Sequence, residues 1–135
     1  MLQMKVLQQA RGTRISMLDS MNLWIEIARD DLLAVMKSVD LIIINDGEVR
    51  MLAEDDNLIR ASRQLIGMVG CQTLIIKKGE NGVLAFHGDD MIALPAYPTE
   101  NVVDPTGCGD SFAGTIAACL AANNGPISKS ELRDA

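Results

Sequence analysis

The residues best suited to chemistry lie in the stretch DPTGCGDSFAG, residues 104–114, where two glycines flank a cysteine and an aspartate follows. A helix is predicted to begin at about Asp110. The first amide N–H groups of a helix have no partner within it, and the positive end of the helix dipole lies behind them. Because glycines at that end let a ligand reach the backbone, Gly107, Cys108 and Gly109 are candidates to bind an anion through their N–H groups.

Asp110 places a negative charge at the edge of this candidate anion site. A carboxylate next to a phosphate is unfavourable for simple binding, but it can accept the proton of a hydroxyl that attacks the phosphorus. The backbone N–H groups of residues 107–110 would then stabilise the charge that develops on the transferred group. The pattern therefore suggests phosphoryl transfer to an alcohol. From the residues alone, an ordinary glycine-rich turn with an acidic first helical turn is the simpler interpretation.

The composition limits the classes of function. The 135 residues are enough for one domain, and 48% of them are hydrophobic, which suffices for a core. The net charge of −6 argues against nucleic-acid binding, and no apolar run approaches the roughly 20 residues that span a bilayer. Three cysteines without a C-x-x-C pair favour neither a disulfide framework nor a zinc site. We expect a cytoplasmic protein that binds neither nucleic acid nor membrane.

The elements that position the glycine-rich stretch alternate between strand and helix. Short apolar runs predict strands, amphipathic spacing predicts helices, and the turn residues at 88–90 predict a β-hairpin. This pattern is typical of an α/β fold with three layers, in which a mostly parallel sheet is flanked by helices. The predicted strands are 14–19, 41–44 and 73–77, the hairpin is 82–94, and the helices are 1–10, 22–39, 46–54, 57–69, 110–122 and one that starts at Ser128.

Two of these helices show the spacing of an apolar face that packs on a sheet. In the helix at 57–69, that face consists of Leu58, Ala61, Leu65 and Val69. In the helix at 22–39, the apolar face consists of Leu23, Ile27, Leu32, Val35, Met36 and Val39. Asp30 or Asp31 is available to cap a second segment of this helix.

Three motifs together carry a resemblance to a known family. The stretch at 104–114 resembles the D-x-T-G-A-G-D signature of the ribokinase or PfkB family of carbohydrate kinases. NDGE at 45–48 resembles that family's Asn-x-x-Glu motif, and KKGENG at 77–82 resembles its nucleotide-side glycine loop. The motifs occur in the expected order over almost the whole chain, so the resemblance implies a ribokinase-like fold and ATP-dependent phosphoryl transfer to a sugar or related polyol.

The resemblance implies a role for the residues around the phosphates. Asp110 would be the catalytic base, and the backbone of residues 107–110 would be the anion hole. Asn45 and Glu48 would lie near the phosphates of ATP, with Glu48 helping to hold Mg²⁺ through water, which suits an ion that keeps much of its hydration shell. Without the family, Asn45 would simply mark a turn between a strand and a helix.

The resemblance also implies sites for the nucleotide and for a second cation. Lys78, Gly79 and Gly82 would shape the loop near the nucleotide, although KKGENG alone could be an ordinary turn, and no Walker sequence G-x-x-x-x-G-K-[ST] occurs in the chain. Asp104 and Thr106 match positions that contribute to a monovalent cation site in members that K⁺ activates.

Two features depart from the family pattern. Cys108 stands where the family usually has alanine, and it is either a reactive thiol at a helix N-terminus or a small residue tolerated in a tight turn. Family members are also roughly twice as long, still as one domain. We therefore expect residues 1–135 to be the C-terminal portion of a single ribokinase-like kinase domain, without the N-terminal acceptor and lid half and without the extreme C-terminus. Alone, such a portion should be inactive and should self-associate through exposed apolar surface.

The acceptor stays open at this point. A nucleoside kinase of the same fold is an alternative to a sugar kinase. From a different class, a non-catalytic module that only binds an anion or a nucleotide is a second alternative, and the carboxylate of Asp110 argues against it because binding alone does not require that group.

Overall fold

The computed structural model describes residues 2–10, 12–123 and 125–135. In the described chain the sheet has five strands in the order β1-β2-β3-β4-β5. The pairs β1–β2 and β2–β3 are parallel, whereas β3–β4 and the predicted hairpin β4–β5 are antiparallel. The strands are β1 (Met17–Asp19), β2 (Leu41–Asn45), β3 (Thr73–Lys77), β4 (Val83–His87) and β5 (Asp90–Leu94). The helices are α1 (Leu2–Gln9), α2 (Asn22–Met36), α3 (Asp46–Ala53), α4 (Leu58–Val69), α5 (Cys108–Ala122) and α6 (Lys129–Asp134).

The two central parallel strands are apolar on both faces, as the runs LIII and TLII indicate. Residues 41–44 and 73–76 are all buried. A strand with no polar alternation needs a covering layer on each side, because neither face can be left in water. This requirement explains why helices lie on both faces of the sheet.

Each face of the sheet has its own core, and the three layers are confirmed. On one face α2, α3 and α4 cover the strands, and the buried side chains there include Ile42, Ile44, Leu74, Ile76, Leu32, Leu52 and Leu65. On the other face α5 and α6 cover them, and the buried side chains are Leu41, Ile43, Ile75, Ala85, Ile116, Leu120 and Leu132.

The predicted apolar face of α2 is partly wrong. Leu23 and Ile27 are 45% and 64% exposed, and Ile25 is buried instead at 6%. The reason is a break at Ala28, whose φ of −152° and ψ of 42° are not helical. The break changes the rotation of the first segment relative to the second, so one helical period cannot describe both. The apolar face predicted for α4 holds for Ala61, Leu65 and Val69, which are buried, while Leu58 is partly buried.

The predicted start of the last helix is confirmed at Ser128. The Ser128 hydroxyl accepts a hydrogen bond from the Glu131 amide at 3.3 Å, and the Glu131 carboxylate accepts one from the Ser128 amide at 2.8 Å. This reciprocal pair is a capping box. Among the described helices, none is both long and apolar enough to cross a membrane.

The loop between β3 and β4 depends on a glycine at position 82. Gly82 has φ +83°, and its carbonyl accepts a hydrogen bond from the Lys78 amide at 2.8 Å. A Cβ atom at this position would lie 2.1 Å from the carbonyl oxygen of Leu94. The end of β5 therefore packs directly on the backbone of Gly82, and no side chain fits between them.

We expect Gly82→Ala to lower the free energy of unfolding by about 3 kcal/mol or more, since the strained φ adds to a clash with backbone that cannot move aside. Gly79→Ala is the matched control, because Gly79 also has positive φ, +55°, but no atom within 4 Å of a Cβ. That control should cost about 1 kcal/mol. Urea denaturation measures both values, and equal losses would contradict the packing of β5 on Gly82.

Candidate active site

The last residues of the three parallel strands meet at one edge of the sheet. Asp19 ends β1, Asn45 ends β2 and Lys77 ends β3, and Asn45 is paired with Lys77 in the parallel register. The carboxyl ends of parallel strands are where ligands bind in open α/β sheets. We call this edge, with residues 19, 45 and 77, the carboxyl edge.

An ion pair connects β1 and β3 across the carboxyl edge. Lys77 Nζ lies 2.8 Å from Asp19 Oδ1 and 3.0 Å from Asp19 Oδ2. The two side chains are 21% and 28% exposed. A Cβ atom placed on Gly109 would lie 3.1 Å from Lys77 Nζ. The ammonium group therefore lies against the first turn of α5, so that turn is at the carboxyl edge.

Asn45 and Glu48 bind each other in the turn from β2 into α3. Asn45 Oδ1 accepts a hydrogen bond from the Glu48 amide at 2.8 Å, and Glu48 Oε2 accepts one from the Asn45 amide at 3.3 Å. This arrangement is a capping box, so the Asn-x-x-Glu motif also starts a helix, as the simpler interpretation of Asn45 proposed. The same hydrogen bonds fix both polar side chains at the carboxyl edge.

Glu48 is a buried carboxyl group, only 1% exposed. Burial raises the pKa of Glu48, and the hydrogen bond from the Asn45 amide opposes that rise. The charge of Lys77 also lowers this pKa, while the charge of Asp19 raises it. Glu48 is thus in electrostatic contact with the ion pair, and a nearby cation would favour its ionised form.

The first turn of α5 has free amide N–H groups. Gly107 is the N-cap residue with φ +81°, and no side chain caps the helix. The first bond of the helix is donated by the Ser111 amide to the Gly107 carbonyl at 2.9 Å, so the amides of Gly109 and Asp110 have no acceptor within the helix. The Cys108 amide instead donates to the Pro105 carbonyl at 3.1 Å. The donors available to an anion therefore include Gly109 and Asp110.

The other residues at this turn are exposed. Asp110 and Cys108 are both on the surface. Upstream, Asp104 Oδ1 accepts a hydrogen bond from the Thr106 amide at 2.8 Å. Hydrogen bonds from Thr106 lower the pKa of Asp104, which keeps this carboxylate ionised. The segment is held in a turn that presents its carboxylates to solvent.

The predicted nucleotide loop begins directly after the carboxyl edge. Lys78 is half-buried, and the residues after it, Gly79–Asn81, form a single turn of 3-10 helix. Lys78 and Lys77 are neighbours in sequence, so the loop starts next to the first turn of α5. The structure thus brings all three motifs to one side of the sheet.

The donor set at this edge suits a magnesium ion that is held mostly by phosphates and water. Among the described residues, no group of three His, Cys, Asp or Glu side chains is placed to hold a metal ion. Mg²⁺ keeps several waters and commonly uses one or two carboxylates together with substrate phosphates. Glu48 can supply such a carboxylate. The Ser20 hydroxyl, next to Asp19, is buried without a hydrogen-bond partner in the described chain, and a ligand or water would satisfy it.

Asp19 and Lys77 were not predicted as site residues. A single lysine or aspartate after a short apolar run is typical of the end of any strand, and only the pairing of β1, β2 and β3 shows that they meet. The signal that could have found them is their position, because each is the last residue of a parallel strand.

Known proteins resemble this chain over most of its length. A family model for pfkB family carbohydrate kinases matches residues 1–131. The chain is 36% identical over 121 residues to the cytidine kinase of Thermococcus kodakarensis, covering 86% of this chain and 42% of that enzyme. It is 31% identical over 111 residues to fructokinase-2 of Oryza sativa subsp. japonica, covering 82% of this chain and 33% of that enzyme.

A solved structure shares the fold. An E. coli protein provisionally assigned as ribokinase II, in complex with ATP and Mg²⁺, superimposes with a TM-score of 0.76 at 27% identity, over 96% of this chain and 42% of that one. The chain therefore spans less than half the length of these relatives. Together with the motifs at the carboxyl edge, these matches show that the chain has a ribokinase-like fold and belongs to the pfkB family of carbohydrate kinases.

Proposed function

We propose that the whole protein transfers a phosphoryl group from ATP to a hydroxyl of a sugar or related polyol, with Asp110 as the base. The observation that carries the proposal is the first turn of α5, where free amides of Gly109 and Asp110 lie beside an ammonium group and an exposed carboxylate. Free amides and a cation attract phosphate, and a carboxylate beside a bound phosphate is placed to accept the proton of an attacking hydroxyl.

The chemistry follows from these positions. The acceptor hydroxyl gives its proton to the Asp110 carboxylate as its oxygen attacks the terminal phosphorus of ATP. Negative charge develops on the phosphoryl oxygens, and the amides of the first turn of α5, with the dipole of a 15-residue helix behind them, stabilise it. ADP leaves with the electrons of the broken bond, and the product is a phosphate ester.

The cations of the proposed reaction have candidate residues in this chain. Glu48, fixed by Asn45, would bind Mg²⁺ through water, and the ion would neutralise charge on the phosphates. Asp104 and Thr106 are proposed to contribute to a K⁺ site, which the ionised state of Asp104 supports. Lys78, Gly79 and Gly82 would lie along the nucleotide.

The acceptor is the part of the proposal with the least support in this chain. One relative is a cytidine kinase and another is a fructokinase, so a nucleoside is the second candidate acceptor. Self-association is also proposed, because Tyr97 and Val103 are 91% and 97% exposed. Turnover measured with a panel of sugars and nucleosides separates the acceptors.

We expect Asp110→Asn in the whole protein to lower kcat by at least about 100-fold, because the hydroxyl loses its base. The affinity for ATP should change little, since asparagine keeps the backbone donors in place. The matched control is Asp89→Asn, which removes an exposed carboxylate in the hairpin turn at the opposite edge of the sheet and should not change kcat. Unchanged turnover in Asp110→Asn would refute the assignment of the base. If the wild type binds ATP but shows no turnover, the non-catalytic module is favoured instead.

Asn45→Ala tests whether the capping box also serves the phosphates. The variant should lower the free energy of unfolding by about 1 kcal/mol, the usual cost of losing an N-cap. It should also weaken binding of ATP with Mg²⁺, because Glu48 is no longer held in place. Asn57→Ala is the control, since Asn57 caps α4 by accepting a hydrogen bond from the Arg60 amide at 3.0 Å. Calorimetric titration should show weaker binding of ATP with Mg²⁺ for Asn45→Ala and unchanged binding for Asn57→Ala. Equal affinity of the two variants would restrict Asn45 to a structural role.

A further inference from the structure

We propose that Lys77 contacts the phosphoryl group during its transfer and that Asp19 positions the Lys77 ammonium group for this contact. The inference rests on the proposed function, because it names a further residue for that reaction. Asp19 lies outside the three motifs that carry the family resemblance. Lys77 is the first residue of one of them, KKGENG.

The ammonium group of Lys77 lies at the start of α5. Lys77 Nζ lies 3.1 Å from the position of a Cβ on Gly109, so it is next to one of the free amides of α5. A phosphate oxygen bound by the Gly109 amide would therefore be within reach of the ammonium group. A Cβ at position 109 would press on the end of the Lys77 side chain, which would have to give by a few tenths of an ångström.

The charges around the Lys77 ammonium group favour an anion in front of α5. A cation at the N-terminus of a helix faces the positive end of the dipole, which is unfavourable unless an anion compensates both charges. Asp19 compensates the ammonium group from one side, with oxygens at 2.8 and 3.0 Å. Within the described chain no group accepts a hydrogen bond from the amides of Gly109 and Asp110, and a phosphate in front of them would interact favourably with the amides and with Lys77 together.

The Lys77 ammonium group has one hydrogen-bond donor beyond those that contact Asp19. A lysine ammonium group has three N–H donors. Two contacts with the Asp19 carboxylate fix its position, and one donor is left for a further acceptor. Asp19 thus acts through Lys77 and is a positioning residue, whereas Lys77 would contact the reacting group.

The structure also offers a purely structural role against which the proposal can be tested. Lys77 could serve only to neutralise Asp19 and the buried Glu48, whose pKa both charges affect. In that case a variant that removes Lys77 and Asp19 together should behave like the wild type, because the removed charges cancel.

The test measures steady-state kinetics of the whole protein in four variants: Lys77→Met, Asp19→Asn, the double variant, and Lys77→Arg. Lys77→Met should lower kcat at least about tenfold, because a charge-assisted hydrogen bond is lost. The double variant should stay as slow, and Lys77→Arg should recover part of the rate. Asp19→Asn should lower kcat while the KM for ATP stays the same or falls, since it removes a negative charge near the phosphates.

A second ion pair provides the control. Lys129 Nζ lies 2.6 Å from Asp90 Oδ1. Asp90 pairs with His87, which in turn pairs with Thr73 at the start of β3, so this ion pair lies at the edge of the sheet opposite Lys77. Lys129→Met and Asp90→Asn should leave kcat and KM unchanged.

The outcomes separate the inference from the proposed function. If the wild type transfers no phosphate to any acceptor, or Asp110→Asn remains fully active, the proposed function fails. If the wild type is active and Asp110→Asn is not, but the double variant Lys77→Met with Asp19→Asn turns over at the wild-type rate, the role of Lys77 is refuted and the kinase stands. Because the double variant removes both members of the ion pair, it also decides the matter when Lys77→Met alone does not fold.

Discussion

The parallel pairing of β1, β2 and β3 determines where the polar groups of the carboxyl edge lie. Parallel strands point their carboxyl ends to one edge, and in this chain those ends carry Asp19, Asn45 and Lys77. The apolar runs of β2 and β3 are buried on both faces, so the core holds these two strands between the helices. The hydrophobic core therefore supports the strand ends that carry Asn45 and Lys77, which are paired in the parallel register.

The same edge combines structural and chemical tasks in single residues. Asn45 starts α3 and holds Glu48, and Glu48 is a buried carboxyl group whose pKa burial raises. Desolvation of a carboxyl group costs free energy, which the hydrogen bond of the Asn45 amide and the charge of Lys77 offset only in part. We interpret this cost as the reason to expect a cation at the site, since a cation would favour the ionised form.

Much of the fold could be predicted from the sequence because its signals are local. The apolar runs fix β2 and β3, the turn at 88–90 fixes the hairpin, and Ser128 with Glu131 fixes the start of α6. The exposure of Leu23 and Ile27 could not be predicted from periodicity, because the break at Ala28 changes the helical phase. The partners of Lys77 could not be predicted either, since Asp19 is 58 residues away in the chain and they meet only through strand pairing.

Part of the candidate site could likewise be predicted from the sequence, and part could not. The glycines and Asp110 at the start of α5 were recognisable as a motif, because the free amides of a helix N-terminus are a property of local backbone. Two other features are properties of the folded chain and could not be predicted. The Cys108 amide is already bonded to the Pro105 carbonyl, and an ammonium group lies beside Gly109.

A structure of the whole protein with a non-hydrolysable ATP analogue and Mg²⁺ tests the central claim most directly, namely that the first turn of α5 and the carboxyl edge together bind the transferred phosphate. We predict an oxygen of the terminal phosphate within about 3 Å of the Gly109 amide nitrogen and of Lys77 Nζ. A terminal phosphate bound away from α5, with the amides of Gly109 and Asp110 facing only water, would contradict the account.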